Sequence, residues 1–304
     1  MVTETQKQEI LELVEMSKAD LGSYNAVAKK CGISKTTLSN IITGKYGADE
    51  SEMLRKIGTA LGYSFKIVGW SIADIVNTRI VTTVLQDAKD EAMFMGIANP
   101  AGSGKTAAAD YFLGLNRNQA VFKINCKEWS GRPFLMAAIR ELGAKMPKGY
   151  ASVDAMLESI AKAIANLSNR KPLVILDQAN SLKPSALRTL IHLFNDNEDK
   201  FGLVILGTDN LETEIKRGVR LNKLGYDELD SRFGRKYIQL PGATFADTCK
   251  ICTVNGITEK AQHEKIFKEC QPIIYKDKEG HSYKVATDLR RLKRLVKSER
   301  LIHN

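Results

Sequence analysis

The chain has 304 residues, 43% of them hydrophobic, enough for two domains with real cores. Its 45 Lys and Arg against 35 Asp and Glu leave a formal charge of +10, which points to a polyanionic partner. No stretch approaches the ~18 consecutive apolar residues of a membrane span. Met1 to Ile10 is too polar for a secretory signal, so no membrane partner is expected, nucleic acid is the expected polyanion and the cytoplasm the expected compartment.

Residues 1–65 read as a small helical unit. Ile10, Leu11, Leu13 and Val14 make a helical stripe within Lys7 to Met16. Tyr24 to Gly47 has the layout of a helix-turn-helix. Ala28 and Gly32 supply the small residue and the turn glycine, while Val27, Ile33, Leu38 and Ile41 pack the two helices together. Ser34 is a good N-cap for the second helix, which leaves Lys35, Thr36, Thr37, Ser39 and Asn40 to face outward. Such side chains read base edges or hold phosphates in a major groove; a helical hairpin used for protein contacts is the alternative. Ser51 to Leu61 predicts a third helix, and residues 66–90, helical over Ile72 to Gln86, a structured linker.

From residue 91 to 242 apolar strands alternate with helices, the pattern of a parallel sheet with helices on both faces. Strands are expected at Met93 to Ala98, Gln119 to Cys126, Pro172 to Asp177, Phe201 to Gly207 and Tyr237 to Leu240. Helices are expected at Pro133 to Lys145, Val153 to Leu167 and Pro184 to Asn195. From Thr244 onward the apolar spacing is helical and predicts a helical lid over 243–304. The five cysteines, Cys31, Cys126, Cys249, Cys252 and Cys270, are odd in number and scattered, which fits a reducing compartment. Cys249 and Cys252 with Cys270 and His263 allow a zinc site, but spacing of three along a helix without a second close pair reads as core.

Met93 to Ala107, MFMGIANPAGSGKTA, is the stretch with the clearest chemistry. A buried strand breaks into Asn99-Pro100-Ala101-Gly102-Ser103-Gly104-Lys105-Thr106, and a helix-forming run follows from Ala107. This is a phosphate-binding P-loop, and it predicts a nucleoside triphosphate, ATP, with Mg2+. Gly102 and Gly104 let backbone N–H groups curl toward phosphate oxygens, and the helix adds its positive end. Lys105 is placed to reach the β- and γ-phosphates and the Thr106 hydroxyl to hold Mg2+. Asn99 stands where the pattern usually has glycine, a residue type that tolerates unusual backbone angles.

Asp177, after an apolar run, reads as the Walker B acid and second metal ligand. The residue that follows such an acid is commonly a Glu that deprotonates the attacking water. Here it is Gln178, which can hold a water but not take its proton. Either the chain hydrolyses slowly and uses ATP as a switch, or Gln178 replaces a Glu and traps the bound state. Thr208 or Asn210, after the fourth strand, is a candidate sensor of the γ-phosphate. Arg232, with Arg235 second, is placed to project into a neighbouring subunit's nucleotide, and Arg290 to reach the γ-phosphate from the lid.

These parts in this order resemble the AAA+ ATPases and, more narrowly, the phage Mu B family of target-selection ATPases. The residues that carry the narrower resemblance begin with Ser34 to Leu38, Lys45-Tyr46 and Asn99-Pro100. They continue with Asp177 to Leu182, Leu203 to Gly207, Ser231-Arg232 and Leu289-Arg290. The resemblance implies an AAA+ core behind an N-terminal all-α helix-turn-helix domain, and it adds Lys45 to the DNA-facing set. It implies an ATP-dependent, largely sequence-nonspecific binder of duplex DNA, acting in the cytoplasm of a bacterial host. Such a protein forms a head-to-tail homo-oligomer, a helical filament, and delivers target DNA to a transposase. An ATP-switched transcriptional regulator and a helicase loader are the alternatives.

Overall fold

The helical stripes and apolar runs resolve, in a computed structural model, into two units, Met1–Trp70 and Ser71–Asn304. The structure describes residues 2, 4–47, 50–61, 63, 70–117, 119–149, 151–277 and 279–302. The first unit contains α1 (Glu4–Leu21), α2 (Tyr24–Lys30), α3 (Lys35–Ile42) and α4 (Glu50–Ala60). Ile10, Val14, Val27, Leu38, Ile41, Leu54 and Ile57 are buried together at its centre. Gly32 makes the turn between α2 and α3 at φ +62°, where a side chain would be strained. The Ser34 hydroxyl then caps α3 by accepting the Thr37 N–H at 2.9 Å.

The second unit opens with α5 (Val76–Asp90), β1 (Phe94–Ala98), α6 (Lys105–Leu115) and β2 (Val121–Asn125). Next come α7 (Gly131–Glu141), α8 (Val153–Asn166), β3 (Leu173–Asp177), α9 (Pro184–Asp196) and β4 (Gly202–Gly207). Then follow α10 (Asp209–Arg220), α11 (Tyr226–Arg232), β5 (Tyr237–Ile238), α12 (Phe245–Val254) and α13 (Lys260–Glu269). The chain ends in β6 (Ile273–Lys276), β7 (Ser282–Val285) and α14 (Leu289–Ile302). Strands β1 to β5 form one parallel sheet in the order β2-β3-β4-β1-β5. Successive residues of β3 feed opposite faces: Leu173 and Ile175 pack with α5 and α6, Val174 and Leu176 with α7 to α9. Coverage on both faces is why β3 and β4 are unbroken apolar runs.

Of residues 66–90, read in the sequence as a linker, 66–69 lie outside the described residues. The rest is core. Val81, Leu85 and Ala88 of α5 pack on the sheet beside Ala109 and Phe112 of α6. A Cβ on Gly202 would lie 2.1 Å from the Ala88 carbonyl oxygen, so α5 and the start of β4 approach with no room for a side chain. Residues 243–304 are not helical throughout, because β6 and β7 form an antiparallel hairpin pairing Tyr275 with Tyr283. Their rings stand 5.5 Å apart, a cross-strand aromatic pair, and the Asp277 carboxylate closes the turn by accepting the N–H groups of Glu279 and His281. Among the described residues no helix is long and apolar enough to cross a membrane.

Candidate nucleotide-binding site

Parallel strands bring their carboxyl ends to one edge, and the crevice forms where the chain order reverses across β1 and β4. The P-loop follows β1 at that edge. Gly102 and Gly104 hold φ +91° and +93°, and Gly104 caps α6. The start of α14 rests on this loop, with Leu289 N–H donating to the Gly102 carbonyl at 2.9 Å. A Cβ on Gly102 would come within 2.3 Å of Asp288 Oδ1. The Lys105 ammonium donates to the carbonyls of Asn99 (2.7 Å) and Pro100 (3.1 Å) and to Ser103 Oγ (2.9 Å). Burial pulls its pKa down to about 8, against the opposing charges of Asp209 and Asp177, and Arg290 lowers it further. Arg290 and Asp209 therefore act on the P-loop lysine from α14 and α10.

Asn99 is not among the residues with positive φ, so unusual backbone angles do not explain it. Its side chain does: Nδ2 donates to the Leu240 carbonyl at 3.1 Å and Oδ1 accepts the Leu240 N–H at 2.8 Å. The residue thereby clips the root of the P-loop to the segment after β5. A second clip, with no signal in the sequence, is Asn77 of α5. It donates to the Ser103 carbonyl and accepts the Gly242 N–H, both at 3.0 Å.

Asp177 ends β3 beside the first turn of α6. Thr106 Oγ1 donates to Asp177 Oδ1 at 3.2 Å, and the Gln178 N–H donates to the same oxygen at 2.9 Å. Ligands in adjacent octahedral positions at ~2.1 Å from Mg2+ are ~2.9 Å apart, so Thr106 and Asp177 fit such an ion. The other carboxylate oxygen, Oδ2, is buried without a hydrogen bond but lies 3.2 Å from the Lys123 ammonium of β2. Lys123 also pairs with Asp110 of α6 at 2.5 Å. Neither Lys123 nor Asp110 was expected here, although a lysine within an apolar strand is a legible oddity. Gln178 stands at φ +58° with its side chain exposed.

Asn99 N–H donates to the Gly207 carbonyl, which sets the end of β4 against the P-loop. Thr208 N–H donates to Asn180 Oδ1 at 3.2 Å. Asn210 lies exposed in the first turn of α10, and it is the neighbouring Asp209, not foreseen, whose charge reaches Lys105. Arg232 and Arg235 lie at the opposite edge of the sheet. Tyr237 pairs with Gly96, so Arg235 sits level with the start of β1, about 16 Å of strand from its own P-loop. Arg235 therefore cannot touch this chain's nucleotide, and it pairs instead with Asp227 at 2.8 Å. Arg232 donates to Asn195 Oδ1 at 2.9 Å and pairs with Glu228.

In the first unit Lys35, Thr36, Ser39 and Lys45 are exposed and Asn40 is half-buried. Thr37 differs, because its hydroxyl shares a 2.8 Å hydrogen bond with Ser34 Oγ and belongs to the cap. In α12, Cys252 is fully buried, and burial pushes its thiol up to about 12. The His263 ring is engaged with the Ile257 carbonyl. Cys252 and His263 are thus packed in the core, and the one group with metal-ligand spacing among the described residues is Asp277, Glu279 and His281, at the hairpin turn.

Residues 88–214 match a family model described as an AAA domain, and the five-stranded parallel sheet flanked by helices is AAA+ ATPase-like. Among solved structures the chain is similar to Cdc6p from Pyrobaculum aerophilum, at 18% identity and TM-score 0.47, over 64% of this chain and 53% of that one. It is similar to the Aeropyrum pernix ORC2 protein in ADPNP-ADP complexes, at 15% identity and TM-score 0.49, over 76% and 63%. The Aeropyrum pernix ORC1 protein in complex with DNA is similar at 15% identity and TM-score 0.48, over 78% and 62%. The chain thus spans less than two thirds of the length of each. No curated protein matches.

Proposed function

We propose that the chain is an AAA+ ATPase that binds ATP with Mg2+, hydrolyses it slowly, assembles head-to-tail on duplex DNA and delivers that DNA to a transposase. The observation that carries the ATPase reading is the meeting of Lys105, Thr106 and Asp177 at the carboxyl edge of the sheet. Lys105 and the P-loop N–H groups neutralise and orient the β- and γ-phosphates. Thr106 and Asp177 hold the metal, which when bound neutralises charge developing on the transferred phosphoryl group. Thr208 and Asn210 stand at the γ-phosphate side, and Arg290 reaches from the lid over 243–304. Gln178 holds the attacking water without accepting its proton, which keeps turnover slow.

Residues 1–65 form the DNA-binding domain in this reading. Lys35, Thr36, Ser39 and Lys45 present an exposed polar face on and after α3, in which the two lysines supply phosphate contacts. Delivery to a transposase rests on the phage Mu B resemblance. Arg232 belongs to assembly: at the edge away from its own P-loop, it is placed to serve a neighbour's nucleotide in exchange for Asn195 and Glu228. Head-to-tail contacts of this kind build rings or open helices.

Sizing the protein with ATP and a random-sequence duplex tests the proposal. Wild type should form large assemblies only with ATP, and Arg232→Ala should stay small while binding ATP normally. A wild-type monomer, or a mutant that assembles equally well, would overturn the assembly model. Tight preference for one short duplex would favour a transcriptional regulator, and activity on a replicative helicase a loader.

A pH dependence follows from Lys105. Bound phosphates favour the charged ammonium, so binding takes up a proton wherever the free protein has lost it. With a pKa of about 8, ATP affinity should hold up to pH 8 and be about tenfold weaker at pH 9 than at pH 7. Titration with a fluorescent ATP analogue reads this directly, and a flat profile would show that Lys105 is charged throughout.

A further inference from the structure

The pairing of Lys123 with Asp177 plays no part in the function proposed above. Lys123 lies on β2 opposite Ile175, and Asn125, two residues on, lies opposite Asp177. Its side chain is 7% exposed, and its ammonium lies 2.5 Å from Asp110 Oδ1 and 3.2 Å from Asp177 Oδ2. Asp110 follows Thr106 by one turn of α6, so Lys123 reaches from β2 to the carboxylates of both Asp110 and Asp177. The two oxygens of Asp177 are engaged differently. Oδ1 accepts from Thr106 and Gln178, while Oδ2 faces the ammonium in an ion pair without hydrogen-bond angles.

A buried lysine needs a carboxylate partner, and Asp110 alone, 58% exposed, supplies one. The second partner is the 3% exposed acid proposed to hold the metal. A carboxylate already matched to a fixed cation attracts a divalent ion less, and the ion and the ammonium repel each other at this range. We propose that Lys123 is a built-in counter-ion for Asp177 that keeps a divalent cation from settling on the protein alone, so that the metal enters with the nucleotide, whose phosphates supply the missing negative charge. Lys123 is on this account a positioning residue that sets the order of metal and nucleotide binding. The inference rests on the ATP site proposed above.

The test measures Mn2+ binding to the nucleotide-free protein by electron paramagnetic resonance. Wild type should bind Mn2+ weakly, and Lys123→Met should tighten one site by about tenfold or more. Lys123→Arg should restore weak binding, and Asp177→Asn added to Lys123→Met should remove the gain. ATP without any divalent ion should bind about tenfold more weakly to Lys123→Met than to wild type, with the difference closing at saturating Mg2+. Lys123→Gln, neutral but polar, gives the same comparison if Lys123→Met folds poorly. Equal Mn2+ affinity in wild type and in the neutral variants would overturn the inference while leaving the ATP site standing. Failure of wild type to bind ATP at all would overturn the site itself.

Discussion

Lys105→Ala is expected to abolish ATP binding, lowering affinity by ~100-fold or more, because it removes a charge-assisted contact to the β- and γ-phosphates. The fold should survive. Lys105 is the first residue of α6, where alanine is a good helix former, and its three oxygen partners are loop groups that water can satisfy. The loop's shape is fixed by other contacts: Asn99 to Leu240, Asn77 to Ser103 and Leu289 to Gly102. The mutant should therefore melt close to wild type while showing no saturation with a fluorescent ATP analogue. It should also lose ATP-dependent binding to DNA. Unchanged affinity would remove the P-loop from the nucleotide site and, with it, the argument for Thr106 and Asp177 as metal ligands.

The legible parts of this chain are those whose reason is local. Residues 173–177 and 202–207 read as strands because a parallel strand covered on both faces has to be apolar throughout. The P-loop reads because its glycines, lysine and threonine do their work within eight residues of chain. Parts fixed by distant partners did not read. Asn99 looked like a stand-in for glycine, and its true partner is Leu240. Lys123, Asp110 and Asp177 come from β2, α6 and β3, and only the sheet order puts them together. Helix α5, in a stretch whose composition reads as a linker, packs one face into the core because Val81 and Leu85 meet a sheet face that the sequence does not show is open to them. The hairpin over Ile273–Val285 escaped because short runs of Ile, Tyr and Lys fit a helix or a strand until a cross-strand partner decides. Arg235 lies at the edge of the sheet away from its own P-loop, as an arginine serving a neighbouring subunit's nucleotide has to.

Gln178→Glu should raise the single-turnover rate of ATP hydrolysis by ~10²-fold or more, within the ~10²–10⁴-fold that a general base contributes. The change is close to isosteric and exchanges an amide that cannot take a proton for a carboxylate that can. Position 178 follows Asp177 directly, and its N–H is held by Asp177 Oδ1 at 2.9 Å, so the side chain starts from a fixed point beside the proposed metal ligands. The backbone there is left-handed, φ +58°, a conformation that costs a non-glycine residue about 1–2 kcal/mol. Glu and Gln bear that cost alike, so the substitution alters chemistry and leaves the local fold in place. A new carboxylate next to Asp177 adds like-charge repulsion, but Lys123 and Lys105 lie close enough to offset it. ATP affinity should consequently move only a few-fold while the rate rises, and the rise should vanish in Lys105→Ala/Gln178→Glu. Rapid-quench measurement of phosphate formation with enzyme in excess separates this step from product release. Fast hydrolysis with Gln178 in place, or no gain with Glu, would take residue 178 out of the chemistry and leave the exposed carboxylate of Asp209, whose charge already reaches Lys105, as the next acceptor to test.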